Sequence, residues 1–121
     1  MAEMMKFPET DWKTLRSMKD DLVRKAYEHV LRQVEGIVTH RETDLHKAYL
    51  ELWRALKEGD AQIGLMFDDL KRSNARLKIF EMIRNGILSP RELEAFTEDT
   101  RESLRALTSA CGQPEGLAAD E

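Results

Sequence analysis

The stretch that decides the fold is DWKTLRSMKDDLVRKAYEHVLRQVEGIV, residues 11–38. Its apolar side chains recur every three or four residues, at Trp12, Leu15, Met18, Leu22, Ala26, Val30, Val34 and Ile37. At about 100° per residue these positions form one stripe along a helix, and charged residues occupy much of the remaining circumference. The stretch therefore predicts a long amphipathic helix, with Thr10 or Asp11 capping its first turn.

The same periodicity continues through residues 41–58 and stops at Gly59. Because glycine has no Cβ, Gly59 can adopt the left-handed conformation that ends many helices. Asp60 then fits as the N-cap of a third helix over residues 61–85. A connection this short predicts an antiparallel hairpin that turns at Gly59 and Asp60.

The apolar face of this third helix changes direction along its length. One set of apolar residues clusters on one side, and Phe80, Ile83 and Ile79 lie a quarter turn or more away. Either the helix breaks near Ser73-Asn74, whose short polar side chains compete for backbone hydrogen bonds, or it contacts two different surfaces. We favour the continuous helix, because no Gly or Pro marks a kink there.

The string Ser89-Pro90-Arg91-Glu92 contains the signals that open a helix. Ser89 can cap, Pro90 suits the first helical position, and Glu92 can reach back to the N–H of Ser89. A four-three spacing of small and apolar residues follows, at Leu93, Thr97, Thr100, Leu104, Leu107 and Cys111. This spacing, here called the heptad seam, predicts that the last helix packs along one facing helix.

Length and composition fit one domain. The chain has 121 residues, of which 41% are hydrophobic and 35% charged, with three prolines and six glycines. Such a composition favours packed helices over disorder or a turn-rich β fold. We predict an all-α, four-helix bundle-like domain over residues 11–111, after an N-terminal lead-in over residues 1–10 and before a disordered tail over residues 112–121.

Compartment and membrane contacts are constrained by two features of the sequence. Cys111 is the single cysteine, so no internal disulfide can form, and a reducing compartment is the simplest interpretation. No stretch approaches the ~20 apolar residues of a membrane span, and residues 1–10 contain no apolar run typical of a signal peptide. We expect a cytoplasmic protein without a membrane partner.

The candidate chemical groups do not converge in the sequence pattern. His40 and Asp44 could share one helix face, but His46 projects about 120° away from His40, which argues against a metal site. No serine lies in a Gly-x-Ser-x-Gly elbow, and no Gly-rich phosphate loop is present. We expect no catalytic residue, no metal and no cofactor, and therefore a non-enzymatic function.

Two features favour a function through protein contacts: the drifting apolar face of the third helix and the heptad seam. Surfaces of this kind are typical of helices that bind other helices. We predict an adaptor or regulatory protein whose partner is itself, as a homodimer, or another helical protein. The candidate interface consists of Phe80, Ile83, Leu93, Leu104 and Leu107. The same surfaces could instead form the core of the monomer.

Nucleic-acid binding is the alternative hypothesis. The net charge is -4, from 19 Lys and Arg against 23 Asp and Glu, which disfavours a global attraction to nucleic acid. The most basic stretch, residues 71–91, supplies the candidate contacts Lys71, Arg72, Arg76, Lys78 and Arg84. These charges are distributed around a helix and do not form one ridge, so we rank an accessory role on nucleic acid second.

Overall fold

The computed structural model describes residues 6–40 and 44–111. It contains the helices α1 (Glu9–Thr39), α2 (Leu45–Phe67), α3 (Ala75–Arg84), α4 (Pro90–Leu93) and α5 (Glu98–Cys111), with a 3-10 turn (Arg72–Asn74) before α3. Four of the helices exceed seven residues, and no strand occurs in the part of the chain that the structure describes. The predicted all-α, bundle-like fold is confirmed.

The first helix forms where the sequence predicts it. Leu15, Leu22 and Ala26 of the predicted stripe are buried in α1. The predicted cap is wrong, because Pro8 precedes the helix and no side chain caps its first turn. Asp11 is instead turned inward and is 1% exposed.

The predicted hairpin turn at Gly59 is wrong, because α2 continues through Gly59 to Phe67. The helix α1 ends at Thr39, and α2 begins at Leu45. Directly after α1 the N–H of His40 donates to the Gly36 carbonyl at 3.2 Å, and directly before α2 Asp44 accepts from the N–H of Lys47 at 3.0 Å. A Cβ added at Gly59 would lie 2.6 Å from Cγ2 of Val30. Glycine is therefore needed at this position so that α1 and α2 can approach each other closely.

Helical structure is interrupted between Phe67, where α2 ends, and Ala75, where α3 begins. The prediction of a continuous third helix is therefore wrong, and the alternative prediction of a break near Ser73-Asn74 is confirmed. Asp69 has a φ of 56°, in the left-handed region. Asn74 holds the turn, since its Oδ1 accepts from the N–H of Lys71 at 2.9 Å and its Nδ2 donates to the Asp69 carbonyl at 2.8 Å. The side chain of Asn74 thus competes with helical hydrogen bonding, as its residue type predicts.

The helix start at Ser89 is confirmed in detail. The Ser89 Oγ accepts from the N–H of Glu92 at 3.1 Å, and the Glu92 Oε1 accepts from the N–H of Ser89 at 2.9 Å. Lys25 of α1 donates to the same Oε1 at 2.7 Å. Burial raises the pKa of Glu92, but the hydrogen bonds from Lys25 and Ser89 outweigh burial and leave the pKa below its ordinary value. The charged carboxylate therefore ties α4 to α1.

The prediction of one continuous last helix is wrong, because α4 ends at Leu93 and α5 begins at Glu98. Asp11 causes the restart. Its carboxylate accepts from the N–H of Thr97 at 2.9 Å, from the Thr97 hydroxyl at 2.7 Å and from the buried Thr100 hydroxyl. A carboxylate at a helix N-terminus satisfies free N–H groups and stabilises the helix dipole. Asp11 thus joins the start of α1 to the start of α5.

The hydrophobic core lies at one end of the long helices. Its buried apolar residues are Phe7, Leu15, Leu22, Ala26, Met66, Phe67, Ala75, Ile79, Phe80, Met82, Ile87, Leu88, Phe96 and Leu104. We call the part of the structure that contains them the body. The remaining part, residues 27–40 and 44–65, is called the arm, and none of its residues is buried. The predicted disordered tail, residues 112–121, and the first half of the lead-in lie outside the described residues.

The role of Asp11 can be tested by Asp11→Ala. The variant should lose about 3 kcal/mol of unfolding free energy. The reason is that the N–H and hydroxyl of Thr97 and the hydroxyl of Thr100 lose their charged acceptor. Urea denaturation measures this loss. Asp21→Ala, at an exposed position of α1, is the control and should change the free energy by less than about 0.5 kcal/mol. Equal effects of the two variants would contradict the proposed role.

A second pair of variants tests the close approach of α1 and α2. A Cβ added at Gly36 would have no atom within 4 Å, so Gly36→Ala should stabilise the protein by up to about 1 kcal/mol through helix propensity. Gly59→Ala should destabilise it by about 1 kcal/mol, because overpacking against Val30 exceeds the same gain. Thermal and urea unfolding measure both changes. If both variants were stabilised equally, the tight contact would be refuted.

Candidate protein interface

The structure places the five predicted interface residues in the body, two of them buried and three partly buried. Phe80 and Leu104 are 8% and 1% exposed, and Ile83, Leu93 and Leu107 are partly buried against the core. The helix break at residues 68–74 allows α3 to contact α5. Much of the drifting apolar face is thereby covered within the monomer, and larger exposed apolar side chains lie elsewhere.

The heptad seam is also used differently from the prediction. Thr97 and Thr100 bind the carboxylate of Asp11, and Leu104 is buried. The side chain of Cys111 lies outside the described part of the structure. The seam thus packs the last helix onto the body and does not leave a free stripe for a facing helix.

Two of the predicted nucleic-acid contacts hold the lead-in segment against the body. Arg72 Nε donates to the carbonyl of Phe7 at 2.6 Å. Arg76 donates through Nη2 to the carbonyl of Lys6 at 3.1 Å, and its guanidinium carbon lies 5.8 Å from the centroid of the Phe7 ring. Both cations therefore help to fix Phe7, which is buried in the core.

The other three predicted nucleic-acid contacts also have partners within the chain. Lys78 Nζ donates to the carbonyl of Leu65 at 2.9 Å, in the last turn of α2, where carbonyl groups lack helical donors. The Nη1 of Arg84 lies 3.4 Å from Oε1 of Glu81, and the Nζ of Lys71 lies 3.5 Å from Oδ2 of Asp69. The structure does not align the five cations along one groove, and nucleic-acid binding stays a hypothesis without a contact surface to support it.

Large apolar side chains are exposed mainly on the arm. The large hydrophobic residues that remain exposed are Tyr27, Leu31, Val38, Leu45, Tyr49, Leu50, Trp53, Leu56, Leu65 and Leu77. All except Leu77 belong to the arm. Single exposed apolar residues are ordinary, but a contiguous group of them marks a binding surface.

Six of these side chains lie on one side of the arm. Val30 and Gly59 mark where α1 and α2 face each other. At about 100° per residue, these six positions lie roughly 40–120° around their helix from Val30 or Gly59, and in the same rotational sense on both helices. Since the helices are antiparallel, this common sense places both sets on the same side. We call this surface the arm face: it consists of Tyr27, Leu31, Leu45, Tyr49, Trp53 and Leu56.

On α1 the arm face and the core lie on opposite flanks of the helix. The buried apolar residues of α1 lie roughly 40–80° from the Val30 direction, in the opposite rotational sense to the arm face. On α2 the core reaches the flank of the arm face only at the end of the helix, where Phe67, at about the same angle as Tyr49, is buried. The arm face itself contains an aromatic pair: the rings of Tyr49 and Trp53 meet edge to face, with centroids 6.4 Å apart. The six side chains of the arm face are thus exposed and partly ordered by contacts with one another.

A cleft lies on the side of the arm opposite to the arm face. It is a cleft of about 440 Å³, and its lining combines apolar and uncharged polar groups with one histidine and one acid. The lining residues are Ala26, His29, Val30, Gln33, Glu58, Gly59, Gln62, Ile63, Met66, Asn85 and Ile87. None of its polar groups forms the nucleophile and base pair that acyl-transfer chemistry requires.

The histidine and carboxylate candidates serve the helix ends. The Nδ1 of His40 lies 2.9 Å from the carbonyl of Gly36, and Asp44 caps α2. Within residues 6–40 and 44–111, no three His, Cys, Asp or Glu side chains come together as a metal site requires. Among the same residues, no helix combines the length and apolar character needed to cross a membrane.

Comparison with known proteins adds no constraint. The sequence matches no protein-family model, and no curated protein or solved structure is similar to it.

The helical periodicity of the sequence does not reveal the arm face. Tyr49, Trp53 and Leu56 belong to a stripe that the sequence pattern assigns to a buried face. The sequence predicts a long third helix over residues 61–85, but in the structure α3 and α5 have only 10 and 14 residues against 31 in α1. Part of the stripe on the long helices therefore has no later helix to cover it, and only the structure shows which part.

Proposed function

We propose that the chain is a non-enzymatic, cytoplasmic protein-interaction module, an adaptor or regulatory protein, that binds a partner through the arm face. The observation that carries this proposal is the cluster of six exposed apolar residues on one side of two helices. Tyr and Trp are enriched at protein interfaces, and the arm face contains two Tyr and one Trp. The single cysteine of the sequence supports the cytoplasmic location.

The size of the arm face supports a protein partner. Its six side chains are 40% to 68% exposed. If a fully exposed side chain of this size presents roughly 150–200 Å², the arm face presents roughly 500–700 Å² of apolar surface. This is at or above the largest apolar patch of a typical monomer, roughly 300–600 Å². A long, shallow apolar strip between two helices fits a helix better than a small molecule, which prefers an enclosed pocket.

The two acids of the body that form hydrogen bonds at helix starts have a structural role, which agrees with a non-enzymatic function. Asp11, the one carboxylate that is almost fully buried among the described residues, caps α5. Glu92 caps α4 and binds Lys25. Both interactions stabilise helix starts, so these acids are engaged in holding the fold together.

Site-specific photo-crosslinking in the native cell tests the proposal. A benzophenone side chain at position 49 should form a discrete covalent adduct with a protein, because the arm face contacts a partner there. The matched control is the same group at position 65, where Leu65 is also exposed but lies on the opposite flank of α2. Gel mobility and mass spectrometry report the adducts.

Two outcomes would contradict the proposal. One is the absence of a protein adduct from position 49 while the chain is folded and expressed. The other is an equal pattern of adducts from positions 49 and 65, because nonspecific collisions do not distinguish the two flanks of a helix.

A further inference from the structure

We infer that the arm face is covered by a second copy of this chain, so that two arms form a two-fold symmetric four-helix bundle with the bodies on its outside. The inference rests on the proposed function of the arm face and names its partner. The area, the helix geometry and the charges at the edges of the face support it.

The apolar area agrees with what a stable dimer needs. A specific interface buries about 800 Å² on each partner, and roughly 55–65% of that area is apolar. The roughly 500–700 Å² presented by the arm face, with side chains 40% to 68% exposed, supplies this apolar part. The polar edges would supply the remainder.

The arm has the geometry of half a four-helix bundle. It consists of two antiparallel helices that touch at Val30 and Gly59 and have no buried side chain between residues 27 and 65 of the described chain. Two such hairpins that meet face to face generate a bundle core from both apolar sides. A two-fold axis requires the same patch on both copies, and all six side chains of that patch are exposed in the monomer.

Charges along the two edges of the arm face favour pairing with itself. From the body outwards, the edge of α1 presents Arg24, Glu28 and Glu35, and the edge of α2 presents Asp60 and Lys57; all five are exposed. With Val30 opposite Gly59, Lys57 lies at a level between Glu28 and Glu35. A two-fold axis parallel to the arm places the α1 edge over the α2 edge of the partner. Lys57 of each copy then lies between Glu28 and Glu35 of the other, which attract it, whereas Asp60 lies near the level of Glu28.

A second copy of this chain supplies an identical apolar surface of the same size, with the same two Tyr and one Trp.

The test is sedimentation equilibrium of the full chain across a concentration series. Wild type should reach twice the 14.0 kDa chain mass. Leu31→Lys and Trp53→Lys should each raise the dimer dissociation constant by roughly 30-fold or more, because a symmetric interface contains each introduced charge twice. Leu65→Lys and Leu77→Lys, at exposed apolar positions away from the arm face and its edges, should leave the constant within about threefold of wild type. Circular dichroism establishes that each variant remains helical.

Several results would overturn the inference. A wild-type monomer at all concentrations would do so, as would a dimer that Leu65→Lys disrupts and that Leu31→Lys and Trp53→Lys leave intact. If the chain is monomeric and position 49 nevertheless crosslinks to a different protein, only the identity of the partner is wrong and the proposed function stands. If position 49 yields no adduct at all, the proposed function fails as well.

Discussion

The difference in length between the helices is the constraint on which the rest of the structure depends. At 1.5 Å per residue, α1 with its 31 residues extends about 46 Å and α2 with 23 about 35 Å. The later helices α3 and α5 span only about 15 and 21 Å. They can cover one end of the long pair and leave the other end as an arm. The arm face is the part of the helical stripes that no element of the monomer covers.

The body compensates for its small size with charged contacts at helix ends. Asp11 binds the start of α5, Glu92 closes the start of α4, and Lys78 donates to a carbonyl in the last turn of α2. Arg72 and Arg76 fix the lead-in segment that carries Phe7 into the core. Each of these charged groups meets backbone groups that a helix end or an extended segment leaves without a partner. The basic stretch that suggested nucleic acid in the sequence is therefore used within the fold.

Sequence reasoning succeeded where the determining contacts are local. The start at Ser89 follows from a hydroxyl, a proline and a glutamate within four residues, and both of its capping hydrogen bonds lie within that string. It failed where the decisive contact comes from a distant residue. The last helix, α5, begins directly after Thr97 because Asp11 binds Thr97, and 86 positions separate these two residues. Gly59 suggested a helix end, but it permits the close approach of Val30, which only the packed structure reveals. The arm face was missed because exposure depends on which helices reach it.

The most direct measurement of arm pairing is hydrogen exchange of the full chain at a low and a high protein concentration. We predict that amides in the outer halves of α1 and α2, near Leu31 and Tyr49, gain protection at the high concentration, because pairing of two arms suppresses local opening. Amides near Leu22 and Ile79 in the body should exchange equally at both. Equal exchange of the arm at the two concentrations would contradict the pairing, since the arm face would then have no partner in a second copy.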